Sequence, residues 1–169
     1  MGNPNLNLLY FSIVFFWIYR VMTREEFIEI LDENGYSYKI EGDKLVVDKY
    51  GSVYLNSLET LPPGVVFKNG GNVFLDSLKT LPPGVEFKNG DDVHLDSLKI
   101  IPPGVEFKNG GSVFLNSLKT LPPGVEFKNG GWVDLNSLIG GSFSKWNGKI
   151  EGIASNTLLN GMIKRVIFL

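Results

Sequence analysis

The chain contains no cysteine and a single histidine, which excludes disulfides and thiolate metal centres and leaves a fold held by packing and hydrogen bonds alone. It also lacks an excess of charge of one sign. Its 16 basic residues face 18 acidic ones, so nothing favours nucleic acid as a partner. The strongest apolar stretch, residues 8–19 (LLYFSIVFFWIY), falls short of the roughly 18 residues that a membrane helix needs. It has neither the basic region nor the small-residue cleavage site of a secretory signal. Met22 opens MTREEF like a natural beginning, so residues 1–21 are expected to form an apolar extension outside the fold. Membrane contact by this segment is the less favoured alternative. Low-complexity tracts are missing too: the 20 glycines and nine prolines fall at fixed intervals, which points to repeated turns rather than disorder.

What is present is a 20-residue period. Pro62-Pro63-Gly64, Pro82-Pro83-Gly84, Pro102-Pro103-Gly104 and Pro122-Pro123-Gly124 recur without insertion, and a further copy starts at Gly131 and departs from the pattern at Ile139. Such a period means stacked units that bury a core only against their neighbours. Within a unit, Val73-Phe74-Leu75 and Val85-Glu86-Phe87 alternate with period two, which predicts strands of about three residues, two or three per coil. Pro63-Gly64 suits the centre of a type II turn, and Lys68-Asn69-Gly70-Gly71 offers residues that tolerate positive φ, so both segments read as corners.

Val53, Leu55, Leu58, Leu61, Val65, Phe67 and their copies are taken as inward. The fold class that follows is an all-β repeat protein: a short right-handed parallel β-solenoid of 20-residue coils with capping helices and hairpins at both ends. A short leucine-rich repeat is the alternative, because Val73-x-Leu75-x-x-Leu78-x-x-Leu81 fits its strand and turn. Against it, Asn56, Asp76, Asp96, Asn116 and Asn136 directly follow the last strand leucine, where that family places its asparagine three residues later.

Four segments result: the extension 1–21, a helix and hairpin cap 22–50, the repeats 51–138, and a hairpin and helix cap 139–169. Thr23-x-x-Glu26 forms a capping box for a helix reaching about Asp32, stopped by Asn34-Gly35. Tyr36 to Val47 reads as a hairpin turning at Glu41-Gly42-Asp43. At the other end Asn147-Gly148 suits a tight hairpin turn, and Ser155 caps a final amphipathic helix.

The outward residues define two faces. Glu86, Glu106 and Glu126 run beside Lys68, Lys88, Lys108 and Lys128, two rows that can pair diagonally and neutralise each other. The other face presents Tyr54, Phe74, His94, Phe114 and Asp134. The aromatic residues of that column, with Trp132 in the last coil, are the candidate binding residues: Tyr54, Phe74, His94, Phe114 and Trp132. Large apolar groups on the outside of a strand whose inside is already buried call for stacking between coils, a cover, or a partner.

His94 reads as a stacking neighbour. Catalysis needs a converging cluster in a cleft, whereas the repeat spreads its polar residues in rows, so no catalytic residues are assigned. No zinc-ligand spacing is visible, and NGGxVxL lacks the GGxGxDxUx order of calcium-binding solenoids, so neither a metal nor another cofactor is expected.

The repeated string SLKTLPPGVEFKNG resembles the short leucine- and proline-containing repeats of uncharacterised bacteriophage and prophage proteins, over about Leu45 to Leu138, and the flanks MTREEFIEIL and KIEGIASNTLLNGMIKR look like their helical ends. The resemblance implies a virion-associated or accessory repeat protein, located in the virion or the host cytoplasm, with no catalytic residues to carry over. The function expected is a non-enzymatic scaffold that self-associates or binds a protein partner. The alternative is a carbohydrate-binding module using the aromatic column.

Overall fold

The computed structural model describes residues 22–138, which form a parallel β-solenoid of 20-residue coils preceded by one short helix. Among the described residues no helix is long and apolar enough to cross a membrane. Helix α1 (Arg24–Glu33) starts at the expected capping box: Thr23 Oγ1 accepts from the Glu26 N–H, and Glu26 accepts in return from the Thr23 N–H. The helix buries Phe27 and Leu31, and Gly35 follows it at φ +64°. Strands β1 (Tyr38–Glu41) and β2 (Lys44–Val47) then pair antiparallel across a turn at Gly42-Asp43, as the hairpin reading requires.

From β2 onward each coil adds one strand to each of two parallel sheets. The six-stranded sheet runs β1-β2-β4-β6-β8-β10, with β4 at Val65–Phe67, β6 at Glu86–Phe87, β8 at Glu106–Phe107 and β10 at Glu126–Phe127. The five-stranded sheet runs β11-β9-β7-β5-β3, with β3 at Val53–Tyr54, β5 at Val73–Phe74, β7 at Val93–His94, β9 at Val113–Phe114 and β11 at Val133–Asp134. Partners are one period apart, Val53 on Val73 and Phe67 on Phe87. The repeat strands other than β4 are two residues long, shorter than expected, because the chain turns into a corner directly after each pair. The third side carries a single bridge, Thr80 to Ile100, since the adjacent prolines have no N–H to donate. No helix lies within the described repeats, so the architecture is the solenoid and not the leucine-rich alternative.

All six inward positions are buried in the four complete copies, and in the partial fifth Val133 and Leu135 are buried while Leu138 is partly so. Phe67, Phe87, Phe107 and Phe127 stack inside the coils with ring centroids 5.5, 5.4 and 5.2 Å apart. At β3, the edge of its sheet, the Tyr54 N–H donates to the Tyr36 hydroxyl at 3.0 Å. A side chain from the cap thus satisfies a donor that has no strand to pair with.

The corners differ from their sequence reading in one respect. Gly64, Gly84, Gly104 and Gly124 have φ between +75° and +76°, as a type II turn demands. The glycines and asparagines of the Lys-Asn-Gly-Gly corners do not have positive φ. There glycine is required by close approach: a Cβ on Gly90 would lie 2.4 Å from the Gly70 carbonyl oxygen, and on Gly110 2.2 Å from that of Gly90. The asparagine beside it is buried. Asn69 Nδ2 donates to the carbonyls of Gly51, Gly71 and Asn72, each at 3.0 Å, and Asn89, Asn109 and Asn129 repeat the pattern. This inner ladder adds a side-chain donor to corner carbonyls, several of which also accept a backbone N–H from the neighbouring coil, as Gly51 does from Gly71 and Asn72 from Val53. The predicted cap 139–169 and the extension 1–21 lie outside the described residues.

Candidate functional site

The outer face of the five-stranded sheet assembles the predicted column. Val73, Val93 and Val113 point inward, so Phe74, His94 and Phe114 must point outward. Parallel register then sets equivalent residues one above another at the strand spacing. The ring centroids of Tyr54–Phe74, Phe74–His94 and His94–Phe114 lie 4.9, 4.5 and 4.7 Å apart, with interplanar angles of 5°, 21° and 17°. Four of the five predicted residues therefore form one continuous stack. Phe74, His94 and Phe114 are half-buried by their neighbours, while Tyr54 is 58% exposed.

Trp132 is not brought into this stack. It precedes β11 and occupies the position of Ser52, Asn72, Asp92 and Ser112, and Asp134 holds the next place in the column. Its N–H donates to Ser112 Oγ at 3.1 Å and its side chain is exposed. Among the described residues no ring contact joins it to Phe114.

Beside the rings runs a second outward row, two residues further along each coil: Asn56, Asp76, Asp96, Asn116 and Asn136. Asn136 Nδ2 donates to Asn116 Oδ1 at 3.2 Å, and Asn116 Nδ2 donates to Asp96 Oδ1. Asp76 and Asp96 meet at one-coil spacing. Burial, and then the Asp96 charge, push the Asp76 carboxyl above its ordinary range. Asp76 Oδ1 is buried and has no hydrogen-bond partner. One ligand-type atom from each of Asp76, His94 and Asp96 lies within 4.8 Å of the other two. Spacing along the chain conceals this group, because Asp76 and Asp96 lie a full period apart and meet only when the coils stack.

The face of the six-stranded sheet is charged and paired. Lys88, Lys108 and Lys128 each bridge the glutamate two residues before them on the same strand, and Lys128 also reaches diagonally to Glu106 at 3.3 Å. Diagonal pairing is thus joined by pairing within each strand. Hydrogen bonds from Lys44 and Lys88 hold the Glu86 carboxyl below its ordinary range, and Lys108, followed by Lys128, does the same for Glu106. A shallow groove of about 330 Å³ beside these rows is lined by the Pro-Pro-Gly corners at Pro83 and Pro103.

Fold and face together define a β-solenoid repeat protein with an external ring column beside a mixed aspartate and asparagine row. No protein-family model, curated protein or solved structure matches the chain.

Proposed function

We propose that this protein is a non-enzymatic repeat scaffold that associates with other protein surfaces, its own copies included, through the ring column of the five-stranded sheet. The supporting observation is the unbroken stack of Tyr54, Phe74, His94 and Phe114 on the outside of a sheet whose inside is already filled. Stacked rings turn their faces toward one another and leave their electropositive edges outward, a surface suited to carbonyl and carboxylate groups of a protein partner. A sugar stacks on a free ring face, which within this column only the ends provide, so the carbohydrate-binding reading has less support. The finer reading, a virion-associated role, rests on the phage-repeat resemblance alone.

Light-scattering mass measurement of the full chain across a concentration series tests the scaffold reading. Association that rises with concentration and is lost on Phe74→Ser and Phe114→Ser supports it. A monomer at every concentration, or an oligomer indifferent to both substitutions, contradicts self-association through this face.

A further inference from the structure

We propose that Asp76, His94 and Asp96 form a binding site for one divalent transition-metal ion of the Zn²⁺ type, which clips coil 71–90 to coil 91–110 beside the ring column. An imidazole with two carboxylates is a donor set for borderline metals, whereas calcium and magnesium favour oxygen ligands alone. All three donor atoms lie within 4.8 Å of one another. An ion held about 2.0–2.2 Å from each needs them to close only by side-chain rotation, which half-exposed residues allow without moving the backbone.

Three further observations point the same way. Asp76 Oδ1 is buried without a donor, an arrangement that leaves a lone pair unsatisfied unless a cation or proton takes it. The surrounding residues orient the donors. Phe74 and Phe114 sandwich the imidazole at 4.5 and 4.7 Å, and Asn116 donates to Asp96, the kind of outer-shell support that metal ligands use. Finally, the departures from the repeat converge. Asn56, Asn116 and Asn136 are the other members of the row, and Tyr54, Phe74 and Phe114 the other rings of the column. Asp76, His94 and Asp96 are departures toward metal-binding chemistry that the stacking of adjacent coils brings together, whereas Asp134, the carboxylate at the end of the column, lies two coils from His94. Three protein donors leave a coordination position open for water.

The repeat supplies its own controls, because His94→Phe, Asp76→Asn and Asp96→Asn each install a residue that other coils carry at the same position. Calorimetric titration of the chelator-stripped full chain with ZnCl₂ is expected to give one ion per chain and to raise the unfolding midpoint. Affinity should fall about tenfold or more in each variant, with urea unfolding confirming that the variants remain folded. As the only histidine, His94 gives one set of imidazole ¹⁵N signals, one nitrogen of which should shift on adding ZnCl₂. An absence of saturable Zn²⁺ binding overturns the proposal, as does binding that survives His94→Phe unchanged or tighter binding of CaCl₂ than of ZnCl₂.

Discussion

The inner column Asn69, Asn89, Asn109 and Asn129 and the outer row Asn56, Asp76, Asp96, Asn116 and Asn136 share the 20-residue period, yet the first does not vary and the second does. The inner amides are buried, and each donates to three backbone carbonyls at a corner, tying together neighbouring coils and the turn itself. The outer row is half-exposed or exposed, so solvent reaches most of its polar atoms, Asp76 Oδ1 excepted. A polar repeat is therefore held to one residue type only where leaving its partners unsatisfied is costly. Freedom to change, and with it room for function, lies on the outside.

The largest expected effect is at the inner column. Asn109→Asp replaces a donor to the carbonyls of Asp91, Gly111 and Ser112 with a buried carboxylate, and should cost about 4 kcal/mol in urea unfolding. If the loss is no greater than for Asn116→Asp in the outer row, the contrast between the columns is wrong.

A second contrast separates the two kinds of glycine. Gly110→Ala sets a methyl 2.2 Å from the Gly90 carbonyl oxygen and must push coils apart, a loss of about 3 kcal/mol. Gly104→Ala meets nothing within 4 Å, yet sits at φ +76°, so it should cost only about 1 kcal/mol, for backbone strain. Thermal or urea unfolding of the pair measures the gap, and equal losses would show that the coils separate without penalty.

The smallest effect is at the outer row and has the opposite sign. The Asp76 carboxyl is raised in the folded chain, so the fold binds its proton more tightly than the unfolded chain does. The resulting penalty is absent below about pH 4 and grows as pH rises through the folded value. Asp76→Asn, measured with a chelator present, should stabilise by about 0.5 kcal/mol at pH 7 and by nothing below pH 4. A destabilised variant at pH 7 would mean that Asp76 contributes to the fold as an anion.

Much of this was legible from the residues. The alternation at Val73-Phe74-Leu75 placed the rings outward, the capping box placed α1, and the six inward positions were identified without coordinates. Other features were hidden for specific reasons. Asn69 and Gly70 look like an ordinary turn pair, and nothing local distinguishes a glycine chosen for φ from one chosen because the next coil passes within contact distance. Trp132 shares an aromatic character with the column but not its place in the register. Asp76, His94 and Asp96 form no recognisable spacing, because their proximity runs along the solenoid axis.

The one-dimensional pattern was sufficient for period, inward face and corner positions, since these depend on local alternation and on the backbone limits of proline and glycine. The stack was needed to settle which polar residues meet. Proximity between coils comes from parallel register, and that is set by the packing of whole units on one another rather than by any neighbouring residues in the chain.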